Sequence, residues 1–151
     1  MNQLHEIIYI STRAAGISDQ VIIDDIVLPA GMKNRRLEIT GCLWYSKNRF
    51  LQILEGPREP VEDVYAQILR DERHHTITTV SSSPITSRSF KRWGMRSLTG
   101  NEEHAIEELI NEYAPNFNRQ RPELSVPPNQ SLLDQIRAYL VQMAMVEPAM
   151  D

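Results

Sequence analysis

Two segments of strand-forming composition, HEIIYIS at 5–11 and RFLQIL at 49–54, are apolar on both of their faces. In an extended chain successive side chains point to opposite sides. Ile7, Tyr9 and Ser11 therefore point one way and Ile8 and Ile10 the other, while Phe50, Gln52 and Leu54 oppose Leu51 and Ile53. A sheet built around two such strands needs cover on both faces. One layer of helices is not enough.

The remaining pattern supplies the layers. Ser18 opens a helical stretch in which Ile22 and Ile26 share a face, and Pro29 and Gly31 predict a kink or broken turn before Arg36. Residues 39–46 and 49–54 read as strands joined by a tight turn at Lys47-Asn48. Pro60 suits the first position of a helix, whose stripe is Val61, Val64, Tyr65, Ile68 and Leu69. Residues 76–80 and 90–98 read as further strands. The order β-α-β-β-α-β plus one strand predicts an α+β, ferredoxin-like sandwich on a five-stranded mixed sheet. Its first and third strands are expected to be parallel neighbours at the centre, with two helices on one face.

The second cover is expected from the C-terminal part. Asn101 precedes a helix over about 102–113 with Ile106, Leu109, Ile110 and Tyr113 on one stripe, and Pro115, Pro122, Pro127 and Pro128 mark an extended connector. A last helix over about 131–146 presents Leu132, Leu133, Ile136, Leu140 and Met143. The expected division is a domain over 1–98 with a helical extension over 99–151.

Composition narrows the function classes. The 16 basic and 20 acidic residues give a net charge of −4, which argues against a general nucleic-acid binder. One cysteine, Cys42, rules out an intrachain disulfide and suits a reducing compartment. Neither a signal peptide nor an apolar run of the ~20 residues that span a bilayer is visible, so a bacterial-type cytoplasmic protein is expected. Nucleotide-loop, nucleophile-elbow and paired-cysteine motifs are absent. Adjacent His74 and His75 aim their rings apart, a poor arrangement for zinc. Cys42, mid-strand, reads as a small hydrophobe.

What remains is polar residues where packing alone would favour apolar ones. Gln52 lies on the face that meets the helices, and a buried amide left unpaired costs about 1–3 kcal/mol. Tyr9, on the neighbouring strand, is a possible partner. A structural Tyr–Gln core hydrogen bond accounts for that spacing as well as a site does, Asn34 has an equal reading as a helix C-cap, and Trp93 and Met95 read equally as core.

The blocks Tyr9-Ile10-Ser11, Asn34 followed by Ile39-Thr40-Gly41, FLQILEGP at 50–57, RDERHH at 70–75 and RSFKRWGM at 88–95 together resemble the BLUF family, blue-light sensors using FAD. The resemblance covers roughly residues 3–98, and the tail is similar to that of short stand-alone members. It implies a non-covalently bound flavin, FAD with FMN or riboflavin as alternatives, lying between two helices on one sheet face. Asn34 would hold the pyrimidine edge, with Lys33 beside it. Ile26, Ile39, Leu54 and Ile68 would sandwich the rings, and Asp71, Arg73 and His74 would line the entrance. Tyr9 and Gln52 would be the photoactive pair, supported by Ser11, and Trp93 and Met95 would lie on the strand that reports the light state. A photosensor that turns over no substrate, forms homo-oligomers and signals to a downstream protein is what the resemblance implies.

The chain departs from relatives at three points: Pro29-Ala30-Gly31 interrupts a helix usually continuous, Lys33 stands where many carry Asn, His or Arg, and Gln67 where some carry Arg. Two other readings compete, a flavin-dependent oxidoreductase and a cofactor-free ferredoxin-like interaction module. No effector domain is expected after residue 98.

Overall fold

The computed structural model describes residues 3–99 and 130–146. Five strands, β1 (Leu4–Arg13), β2 (Thr40–Tyr45), β3 (Arg49–Pro57), β4 (His74–Pro84) and β5 (Arg96–Thr99), form one sheet in the order β4-β1-β3-β2-β5. β1 and β3 are central neighbours, but they run antiparallel. This corrects the expected parallel pairing. The turn at 46–48 reverses the chain between β2 and β3, closed by the Ser46 N–H on the Arg49 carbonyl at 3.0 Å. β3 returns into the gap beside β1 and pairs antiparallel with β2 as well. β5 adds parallel to β2 and makes the sheet mixed.

The first helical layer runs without a break through α1 (Asp19–Val21), a π-helical stretch (Ile22–Val27) and α2 (Leu28–Arg36). Ser18 caps it, its hydroxyl accepting from the Val21 N–H at 3.2 Å. The irregularity expected at Pro29–Gly31 lies instead one turn earlier. Proline has no N–H to donate backwards and its ring crowds the preceding turn. The widened π turn makes room, the Leu28 N–H reaching back to the Ile23 carbonyl, and the Asp25 carbonyl accepts from Arg73 at 3.2 Å. α3 (Arg58–Leu69) begins two residues before Pro60. Pro60 thus sits third in the helix rather than first, still within the turn whose N–H groups have no intrahelical partner.

The expected final strand over 90–98 is shorter than read, because the chain forms no ladder before Arg96. The Ser89 and Phe90 N–H groups are taken by the buried Glu55 carboxylate at 2.9 and 2.5 Å. Close beside this segment, a Cβ on Gly94 would come within 2.5 Å of the Gly31 carbonyl oxygen.

Two cores result. Ile7, Tyr9, Phe50 and Leu54 pack with Ile22, Val27, Val61 and Val64 on one face. Ile8, Ile10, Leu51 and Ile53 pack on the other against Leu133, Ile136, Leu140 and Ala144 of α4 (Gln130–Val146). The two-faced strands therefore have their two covers, in the α+β, ferredoxin-like arrangement. Met143 is only partly buried against the second core. The helix expected over 102–113, the proline connector and the side chain of Leu132 lie outside the described residues. Among the described residues, no helix is long and apolar enough to cross a membrane.

Candidate functional site

Between the first helical layer and α3, over the middle of the sheet, lies a cavity of about 240 Å³. Its floor comes from the central strands: Tyr9 from β1, Leu43 from β2, Phe50, Gln52 and Leu54 from β3. Period two puts these side chains on one face, and the β1–β3 register sets Tyr9 directly opposite Gln52. Ile26, Pro29, Ala30, Lys33 and Asn34 form one wall, Val64, Gln67 and Ile68 the other, and Asp71, Arg73 and His74 one end.

The polar groups are chained. The buried Tyr9 hydroxyl donates to Gln52 Oε1. Gln52 Nε2 in turn donates to Met95 Sδ at 3.4 Å. Burial, with Tyr65 and Asp71 nearby, pushes the Tyr9 phenol well above its ordinary value, so it is neutral at any physiological pH. Asn34, 2% exposed, donates from Nδ2 to the Gly94 carbonyl at 3.0 Å. Its backbone carbonyl also accepts from Leu37 and Ile39, so the helix-ending role and the cavity role coexist in one residue.

The entrance is charged. Arg73 and Asp71 pair at 2.5 Å, and hydrogen bonding from Arg73 holds the Asp71 carboxyl below the usual range. Across the mouth, Lys33 Nζ donates to Gln67 Oε1 at 2.5 Å. His74 is fixed at both nitrogens. Its Nε2 lies 2.7 Å from the Ile68 carbonyl, which only accepts. Nε2 therefore carries the proton, and Nδ1 accepts from the Ser11 hydroxyl at 2.8 Å.

Burial lowers the His74 imidazole below 6.5, and that of His5 likewise. The unfolded chain then takes up protons first as acid is added, so stability present above about pH 6.5 is lost as pH falls toward the lowered values. Glu55, raised above 4.5 chiefly by burial, acts with the opposite sign, losing stability as pH rises through its own range. The urea midpoint of unfolding is expected to drop between about pH 7.5 and about pH 5.5. His74→Asn should flatten that slope.

Of the residues singled out in the sequence, Tyr9, Ile26, Lys33, Asn34, Gln52, Leu54, Ile68, Asp71, Arg73 and His74 line the cavity. Ile39 is buried in the same core behind the wall, and Ser11 stands behind His74. Met95 touches Gln52 from behind. Trp93 is elsewhere. It packs in the opposite core, with Leu133 and Leu140, and its carbonyl accepts from Gly41 at 3.1 Å. The expectation that Trp93 and Met95 share a strand fails because residues 90–95 are not extended, so alternation does not apply there. Leu43, Phe50, Val64, Asp25, Pro29 and Ala30 also line the cavity without a site role expected from the sequence; strand period from Gln52 points to Phe50, helix period from Ile68 to Val64, and Leu43 is the β2 residue directly across from Gln52.

A flat, largely apolar ring system with a polar edge fits this space: aliphatic walls, two buried carboxamides and a phenol inside, charges at the mouth. Fold and site together define a small α+β module with room for such a ring between two helices. The BLUF family, described as sensors of blue-light using FAD, matches residues 4–96, and the chain belongs to it. The chain is 35% identical over 92 residues to a photoactivated adenylate cyclase subunit beta of Euglena longa, covering 60% of this chain and 11% of that protein. It is 34% identical over 73 residues to the blue light- and temperature-regulated antirepressor BluF of Escherichia coli (strain K12), covering 48% and 18%. The chain thus spans less than a fifth of either relative. Among solved structures, BlsA in its photo-activated state superposes with a TM-score of 0.70 at 28% identity over 98% of this chain and 99% of that one. BlrB, a BLUF protein in its dark state, gives 0.69 at 25% identity over 94% and 98%.

Proposed function

We propose that this chain is a blue-light receptor that turns over no substrate, holds its flavin non-covalently and passes the signal to a protein partner. The observation that carries the reading is the buried relay from the Tyr9 hydroxyl through Gln52 to Met95, set in the floor of an apolar cavity. When bound, a flavin supplies blue-light absorption and an excited state that readily takes an electron. Tyr9 is the group placed to give one: it is a neutral phenol, and its proton has a route out through the hydrogen bond it donates to Gln52 Oε1. Gln52 has one accepting and one donating end. Turning the amide exchanges those ends, and the Met95 thioether, an acceptor only, makes the two arrangements unequal.

One rearranged hydrogen bond is worth about 0.5–1.5 kcal/mol, whereas full switching takes about 5.5 kcal/mol. The output therefore runs through a larger element, the segment 93–96. Support for this route lies in its contacts: Met95 with Gln52 and the Gly94 carbonyl with Asn34 on one side, and Trp93 in the α4 core and Arg96 Nε to the Ala144 carbonyl at 3.5 Å on the other. Residues 1–98 are the photosensory part and 99–151 the output extension, acting in the bacterial cytoplasm on a downstream protein and through homo-oligomers. The cofactor is FAD, with FMN or riboflavin as alternatives; FMN is named with a structural neighbour, BlrP1 of Klebsiella pneumoniae.

The test is direct. Purified protein should be yellow, and chromatography of the denatured extract should identify the flavin. A colourless protein that takes up no added flavin would favour a cofactor-free interaction module, and steady NAD(P)H consumption an oxidoreductase.

A further inference from the structure

The photoactive pair has a neighbour that does not reach the cavity. Tyr65 on α3 is buried, yet it is Val64 and Ile68, not Tyr65, that line the wall. Its ring lies against Tyr9, with centroids 5.5 Å apart and planes tilted by 33°. Its hydroxyl is held by Thr79 Oγ1 at 2.5 Å. Thr79 is the residue of β4 directly across from Tyr9, beside a register shift in the β1–β4 ladder. The Tyr9 ring is thus bounded by a second aromatic whose far end is tied to the adjacent strand. His74 meets the same ring edge-on at 5.8 Å.

Two buried phenols in contact raise the question of a second electron source. The hydroxyl partner decides against it. Oxidising a phenol releases a proton; Tyr9 can hand its own to Gln52, which lines the cavity, whereas the Tyr65 hydroxyl meets Thr79, which does not line it. With burial pushing the Tyr65 phenol up to about 12, no ionised form is available at neutral pH. Tyr65 is left with a mechanical role.

We propose that Tyr65, pinned through its hydroxyl to Thr79, is a positioning residue that fixes the Tyr9 ring, so that the Tyr9–Gln52 hydrogen bond can change only by movement of the amide. This rests on the photoreceptor reading for its consequence, though not for its geometry. With Tyr9 held, return to the dark arrangement requires Gln52 to turn by itself; with Tyr9 loosened, ring and amide relax together and return is faster.

Tyr65→Phe keeps the ring and removes the tie, and Thr79→Val removes the same tie from the other end with little change of shape. In the flavin-loaded full chain, both are expected to accelerate dark recovery about three- to tenfold, with dark absorbance and flavin content unchanged. The double variant should recover no faster than either single one. The second readout needs no flavin: aromatic NMR of the flavin-free chain should show Tyr9 ring flipping at least several-fold faster in both variants. Unchanged ring flipping in either variant, or additive effects on recovery, would overturn the proposal. A wild-type protein that shows no light response would sink the photoreceptor reading, while the ring-flip measurement would still decide the role of Tyr65.

Discussion

Gln52→Leu is expected to leave the protein yellow but to abolish completely the shift of its flavin band to longer wavelength that the proposed turning of the Gln52 amide would produce in blue light. Leucine nearly matches the volume, and Asn34 and the aliphatic walls remain to hold a ring. What disappears is the group that joins the Tyr9 hydroxyl to Met95. Tyr9→Phe should give the same loss for a different reason, since the bridge survives and the electron and proton donor does not. Each variant strands one buried polar atom, at about 1–3 kcal/mol, so flavin content and unfolding midpoint must be measured alongside the difference spectrum. A full red shift in either variant would mean that the signal does not pass through this pair.

The largest stability effect is expected on the opposite face. Glu6, 2% exposed, points from β1 away from the cavity, and Arg137 of α4 grips it with Nη2 at 2.8 Å and Nε at 3.1 Å. Arg137 also reaches Asp134 at 2.9 Å. Breaking a buried pair from one side leaves an uncompensated charge, at about 3–5 kcal/mol, whereas replacing both partners by apolar groups is often neutral. Arg137→Met should therefore destabilise by roughly 3 kcal/mol, and Glu6→Met/Arg137→Met should recover most of that loss. Urea titration of the four proteins in the cycle measures it. A cost below about 1 kcal/mol for Arg137→Met would mean that the helix docks through its apolar face alone. On the proposed output route such docking would matter, because α4 receives Trp93 and Arg96 from the segment that touches Gln52 and Asn34.

Much of this architecture is legible in the residues themselves, for physical reasons. Ile7–Ile10 and Phe50–Leu54 carry apolar side chains on both faces, so both covers could be demanded before any helix was placed. The same period put Tyr9 and Gln52 on one face, and their pairing follows from central adjacency. Strand direction is not carried by alternation, which is identical in parallel and antiparallel pairs; it follows from the connections, since the helical crossover sets β2 parallel to β1 and the turn at 46–48 sets β3 antiparallel to both. The last strand was overread because its backbone partners are a carboxylate from Glu55 and a close glycine contact at Gly31, neither of which has a periodic signature. Strand period would put Trp93 and Met95 on one face, whereas they face different cores. Pro29 signals a disturbance but not its place, since the helix adjusts ahead of a proline rather than at it.

The account rests on one spectroscopic event. The purified full chain should be exposed to blue light and its visible absorbance recorded, lit against dark. The main flavin band should move to longer wavelength without bleaching and return fully in darkness. A bleached band, or no change at all in a protein that carries its flavin, would contradict the role given to Tyr9 and Gln52.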